Sequence, residues 1–281
     1  MCILLSAYNA HPDYALILLS NRDEYFVRKT SPASYDKKTN TIAPYDLSRP
    51  ECGTWIMLNT KTNKLAILLN FREEDDDEQV AKLESEFGYP DNNIGGFSLV
   101  FGNLQKLITK KDTMYILSNR AKDSSKQPIF NKDYSKSYFV FSNSSIDIDT
   151  KWRKIDVGTN CLKELIEKNY NLNEKDLINK LFELLSKNDL NYSCKDLRQN
   201  FQNLKDTIFV PPLINNDKLL KDGKYVGQYY GTRTQTIILI NKNGDLKYIE
   251  KTLHSKDSSE VENSFKNFEY NIFNNENVKE Y

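Results

Sequence analysis

The chain has 281 residues, with 39 basic and 39 acidic side chains, two histidines and four cysteines. Balanced charge gives no overall field to draw in DNA, RNA or an anionic membrane, so nucleic acid is not an expected partner. No stretch approaches the roughly 18 apolar residues of a spanning helix, Cys2, Cys52, Cys161 and Cys194 form no C-x-x-C pair, and no signal peptide or Arg-rich presequence leads the chain, which predicts a soluble, cytoplasmic protein in a reducing compartment.

In chain order, Ile3 to Ala7 and Tyr14 to Ser20 read as a β-hairpin across the turn-forming Asn9 to Asp13, so the chain start enters a sheet. Trp55 to Leu58 and Leu65 to Leu69 form a second pair, apolar enough to be expected covered on both faces. Leu99 to Phe101, Met114 to Leu117 and Tyr138 to Ser142 continue the strands. The period then changes: after Asn173, a candidate N-cap, Leu177, Ile178, Leu181, Phe182, Leu184 and Leu185 recur at helical spacing. Weaker helical patterns cover Val80 to Phe87, Cys161 to Lys168, Leu197 to Leu204 and Val261 to Phe268. A hairpin of Thr236 to Ile240 with Leu246 to Ile249, around Asn241 to Gly244, closes the series. Strands first, helices in the middle and a closing hairpin make an α+β order. One domain is expected over residues 1–270, followed by a mobile polar tail at 271–281, and the acidic run Glu73 to Glu78 reads as a solvated segment.

Cys2 is the first chemical candidate. A small second residue permits removal of Met1, and a chain starting at Cys2 carries a thiol beside an α-amine whose reference pKa is about 8, a nucleophile and its base on one residue. The alternative is a small apolar residue at the start of a strand. Asn21-Arg22-Asp23-Glu24 leaves the strand that pairs with the first one, so antiparallel pairing sets it near Cys2. There Arg22 is suited to hold a thiolate or a carboxylate, Asp23 to orient the amine and Asn21 to donate to an oxyanion; a capped turn with a surface Arg-Asp pair is the other reading. Arg233, in Tyr230 to Thr236, is a candidate anion-binding residue. His11 and His254 lack metal-ligand spacing, so no metal is expected; His11 reads as an exposed loop histidine, with haem ligation as its alternative.

These residues resemble the NRDE-motif family, also called the transport and Golgi organisation 2 family. The resemblance rests on the intact Asn21-Arg22-Asp23-Glu24, with Met1-Cys2, Pro32-Ala33, Gly53-Thr54-Trp55, Asn70-Phe71-Arg72-Glu73, Phe97 to Leu104, Ser118-Asn119-Arg120, Ser142-Asn143-Ser144 with Trp152 and Lys154, and Tyr230 to Thr236, in family order over most of the chain. The Ser-Arg-Gly element usual after Asn-x-Arg-Glu is replaced by the acidic run and Leu83-Glu84-Ser85-Glu86. The resemblance implies an N-terminal nucleophile hydrolase-like αββα sandwich of two stacked, mainly antiparallel sheets flanked by helices. It implies Cys2 as nucleophile with Arg22, Asp23 and Asn143 as catalytic partners, Asn143 serving as oxyanion donor. Asn21, Glu24, Asn70, Arg72 and Arg233 are then the residues toward substrate. It further implies a small-molecule partner, either an amide or thioester substrate or carried haem or acyl-CoA, with roles in Golgi organisation, secretion, and haem or lipid homeostasis, trafficking partners, and association with Golgi or mitochondria.

Overall fold

The structure, a computed structural model, describes residues 1–72, 95–123, 125–144, 146, 152–190, 195–216, 227–274 and 278–281. The helical pattern at Val80 to Phe87, the acidic run, Leu83 to Glu86 and Cys194 lie outside the described residues.

The chain opens with β1 (Ile3–Tyr8) and β2 (Tyr14–Tyr25), antiparallel, with Ile3 opposite Asn21. It then builds one sheet from β3 (Thr30–Asp36), β4 (Thr41–Asp46), β5 (Ile56–Asn59), β6 (Lys64–Asn70), β7 (Phe97–Asn103), β8 (Tyr115–Ser118) and β9 (Gln127–Pro128), in that spatial order. The short α1 (Leu104–Ile108) follows β7. Next come β10 (Ser137–Ser142), α2 (Arg153–Lys168), α3 (Glu174–Leu185), α4 (Leu197–Asn200) with a 3-10 turn at Gln202–Lys205, and β11 (Leu213–Ile214). Last are β12 (Tyr229–Asn241), β13 (Asp245–Thr252), β14 (Ser264–Asn271) and β15 (Lys279–Glu280). The other sheet runs β10-β1-β2-β12-β13-β14-β15, with β11 beside β12. Among the described residues every pairing between these strands is antiparallel, so the α+β reading holds with two antiparallel sheets.

The period of two in a strand explains both cores. In β2, Leu16 and Leu18 point between the sheets and pack with Ile67, Val100 and Ile238, while Ile17 and Leu19 point at α2 and α3 and pack with Leu162 and Leu181. Each such side chain contributes roughly 1.5–3 kcal/mol on burial, and a strand covered on both faces reads as an unbroken apolar run. Asn173 caps α3 by accepting from the Asp176 amide, as its position after the loop predicts.

Several expectations are corrected. Val261 to Phe268 is not helical: Val261 and Phe265 are exposed, while Phe268 and Tyr270 are buried on one face of β14, whose pairing with β13 sets the Phe268 ring 5.9 Å from Tyr248. β5 and β6 are not covered on both faces: Ile56, Leu58, Leu65, Ile67 and Leu69 are buried, but Met57, Ala66 and Leu68 are half-buried. The described long helices, α2 and α3, both pack on the other sheet. His11 is not exposed but 3% accessible, because the turn folds its ring inward, where Nδ1 accepts from the Asp13 amide at 3.1 Å. The stretch read as a tail begins inside the sheet, with Ile272 fully buried and β15 paired to β14. β3 and β4 were not anticipated, since Pro32 and Pro44 interrupt them and their apolar content is low.

Candidate functional site

β2 does not end at Ser20 but carries Asn21 to Glu24 within the strand. The motif is therefore divided between two faces: Asn21 and Asp23 point toward the helices, Arg22 and Glu24 between the sheets. Ile3 faces Asn21 in β1, and the same register carried outward sets Cys2 level with Arg22 and Met1 level with Asp23.

On the helix side, Met1 is held at every polar atom. Its ammonium lies 3.3 Å from Asp23 Oδ2 and donates to the Tyr230 hydroxyl, and Lys154 Nζ donates to its carbonyl at 2.8 Å. Its side chain completes an apolar cell with Leu190, Leu197, Leu204, Val210 and Leu213. Arg72, stacked 4.0 Å over the exposed Phe201, sets Nη1 3.6 Å from the Met1 sulfur. Thr232 Oγ1 donates to Asp23 Oδ1 at 2.6 Å, which fixes the carboxylate.

Burial governs the protonation of this cluster. Loss of hydration lowers the α-ammonium of Met1 below its ordinary value, opposed by the Asp23 charge. Burial likewise brings Lys154 down to about 8, with Asp23 and then Cys2 acting in the opposite direction. Burial and the nearby Asp23 raise the Tyr230 phenol well above its usual range, keeping it neutral as a hydrogen-bonding group.

Between the sheets, Cys2 is half-buried with Sγ 3.9 Å from the Asp23 carbonyl, and Ser142 Oγ donates to the Cys2 carbonyl at 2.6 Å. Arg22 lies 4.2 Å over the Trp55 ring and 3.5 Å from Glu24, with Nη1 buried and without a hydrogen-bond partner among the described residues. Glu24 also meets Arg28 at 3.7 Å, which pairs with Asp46 at 2.6 Å, so charges alternate along this face.

The structure thus brings together Cys2, Arg22, Asp23, Glu24 and Arg72 around the chain start. Asn143 is close by through the Asn70 carbonyl, to which its Nδ2 donates, and its own carbonyl accepts from the Arg72 amide at 2.9 Å. Its Oδ1 is buried without a hydrogen-bond partner among the described residues, and its Nδ2 is engaged by Asn70. Asn70 contributes by its backbone. Asn21 is not brought to the same pocket: its Nδ2 bonds the Leu185 and Ile208 carbonyls at 2.8 and 2.9 Å, tying the sheet to the end of α3. Arg233 is fully buried with its guanidinium on the carbonyls of Tyr25, Arg28, His254 and Ser255. It occupies a bulge in β12, between Thr232 opposite Asp23 and Thr234 opposite Arg22.

Sequence reasoning missed the roles of Lys154, Tyr230 and Trp55. All three lie within the landmark segments, but only the tertiary structure shows that they surround residues 1 and 2. No group of metal ligands occurs among the described residues. A surface cleft of about 330 Å3 beside Tyr14, Glu174 and Lys247 lies at the other end of β2, about 30 Å along the strand from Asp23.

Comparison with known proteins places the sequence in a family. The sequence profile described as Transport and Golgi organisation 2 matches residues 1–90 and 80–255. An uncharacterised protein of Saccharomyces cerevisiae is 31% identical, covering 92% of this chain and 93% of its own length. The Transport and Golgi organization 2 homolog of Mus musculus is 25% identical, and its Homo sapiens counterpart 26%, each covering 93% of this chain and 96% of its own length.

Proposed function

The chain belongs to the Transport and Golgi organisation 2 family, and from that premise we propose that it acts in Golgi organisation, as its relatives' names state, through an N-terminal nucleophile site at Cys2. The observation that carries this reading is the buried ion pair between a chain-terminal ammonium and Asp23, one residue from a thiol. Loss of Met1 transfers the free amine to Cys2 and leaves Asp23 and Thr232 in place to orient it. The amine then accepts the thiol proton, the sulfur attacks an amide or thioester carbonyl, and the proton passes to the leaving group. Water releases the acyl group as a carboxylic acid and restores the thiol. Arg22, with a buried N–H group that has no hydrogen-bond partner among the described residues, is suited to hold a substrate carboxylate. The two stacked sheets with helices on one of them are compatible with the N-terminal nucleophile hydrolase-like sandwich that the site requires. No described helix is long and apolar enough to cross a membrane.

A carrier of haem or acyl-CoA has less support in the geometry. It relies on Arg233 as a second cation, and that guanidinium is engaged with four backbone carbonyls. The test is intact-mass analysis of the natively expressed protein followed by reaction with an acyl electrophile. Loss of Met1 and one acyl adduct, absent in Cys2→Ala, is expected. Quantitative retention of Met1 would refute the proposal.

A further inference from the structure

Lys154 lies in the first turn of α2 with no accessible surface, and its ammonium donates at 2.8 Å to the carbonyl oxygen of Met1. That carbonyl belongs to the peptide bond immediately before Cys2. A buried ammonium is strongly disfavoured without an acceptor, so whatever replaces Met1 must supply an oxygen at this point. The residue expected to bind an oxyanion, Asn143, has its Nδ2 on the Asn70 carbonyl. Lys154 holds the carbonyl of Met1 while Asp23 holds its ammonium, so Lys154 belongs to the cluster around the chain start, one peptide bond from Cys2.

Resting on the reading that Met1 is lost and Cys2 is the nucleophile, we propose that Lys154 is the oxyanion-binding residue and that the apolar cell of the Met1 side chain receives the acyl group of the substrate. The sulfur of Cys2 bonds to the carbonyl carbon, and the π pair moves onto oxygen, where the ammonium of Lys154 stabilises it. Collapse restores the carbonyl and breaks the bond to the amine or thiol leaving group, which departs with the proton taken from Cys2. Leu190, Leu197, Leu204, Val210 and Leu213 line the cell, so the acyl group it fits is uncharged and apolar, of about the length of a methionine side chain. Arg72 and Phe201 stand at its outer side.

Two reagents separate the roles, because acylation passes through an oxyanion and alkylation does not. Wild type and Lys154→Met, both confirmed by mass to lack Met1, are treated with p-nitrophenyl butyrate or iodoacetamide, and adducts on Cys2 are followed by intact mass. The expected result is acylation slower by about 100-fold in Lys154→Met, with alkylation within about threefold of wild type. Equal acylation of both proteins overturns the role of Lys154 and leaves the Cys2 reading intact; a wild-type Cys2 that is alkylated but never acylated overturns both. A second measurement does not depend on the variant folding. In a crystal structure of the wild type, lacking Met1 and soaked with the unreactive substrate analogue butyramide bound beside Cys2, the amide oxygen should lie within hydrogen-bond distance of Lys154 Nζ, and an oxygen turned away from it overturns the proposal.

Discussion

Glu250 offers a direct test of how burial sets chemistry in this fold. It lies on β13 between the sheets at 1% exposure, accepting from the Ala33 amide at 2.7 Å and facing the Tyr248 hydroxyl at 3.5 Å. Burial pushes its carboxyl from 4.5 up to about 7, against the pull of the Ala33 amide, Tyr248 and Arg22. Between these two values the folded chain holds a proton that the unfolded chain has released. Unfolding free energy therefore falls as pH rises across that window and is flat above it. At about 1.36 kcal/mol per unit, the loss amounts to about 3 kcal/mol. Glu250→Gln retains an acceptor for Ala33 and removes the ionisation. Urea denaturation of both proteins from about pH 4 to about pH 8 is the assay. The variant should match wild type at the acid end and exceed it by about 3 kcal/mol at the alkaline end. His11 and His254, lowered by burial, act in the opposite direction over part of this range but are common to both proteins and cancel in the difference. A stability difference that does not change with pH would refute the reasoning.

Arg233→Met removes the donors from the carbonyls of Tyr25, Arg28, His254 and Ser255, and at about 1–3 kcal/mol per orphaned group it should lower stability by roughly 3 kcal/mol or more; an unchanged urea midpoint would show that these bonds hold nothing. Gly231→Ala sets a Cβ 2.8 Å from the Pro211 carbonyl oxygen and 2.9 Å from that of Val210, both backbone atoms, so the segment beside the Met1 cell must move. A loss of about 1–3 kcal/mol is expected by thermal melting, and a melting temperature equal to wild type would contradict the close approach.

The legible part of the fold is the part decided locally. The first hairpin, the α3 cap at Asn173 and the closing hairpin around Asn241 to Gly244 each combine a strong apolar period with a turn or cap residue, and each is present. Val261 to Phe268 failed because Val261, Phe265 and Phe268 fall at helical spacing, whereas pairing with β13 makes the segment a strand that buries Phe268 and Tyr270 on one face. The site was legible in sequence position but not in direction. Antiparallel pairing foretold that Asn21 to Glu24 would lie near Cys2, yet treating the motif as a strand exit concealed that its residues alternate between faces. Arg233 shows the same limit: its alternation with Gln235 is visible in the sequence, but the bulge that aims its guanidinium into carbonyls depends on β2 across the sheet.

The alternation also bears on when the site forms. Met1 is 8% exposed, its ammonium is paired with Asp23, its carbonyl is held by Lys154, and the strand that follows it is hydrogen-bonded on both sides, to β2 and β10. An aminopeptidase acts on an extended, accessible chain end, and releasing Met1 from the folded protein means breaking a buried ion pair and emptying an apolar cell, each strongly unfavourable. On the proposed reading, removal must therefore precede the docking of β1, which is a central strand and requires β10, some 130 residues later, to complete its pairing. A chain that folds before processing keeps Met1 in the cell that the substrate would occupy, and the same contacts that build the site then hold it closed.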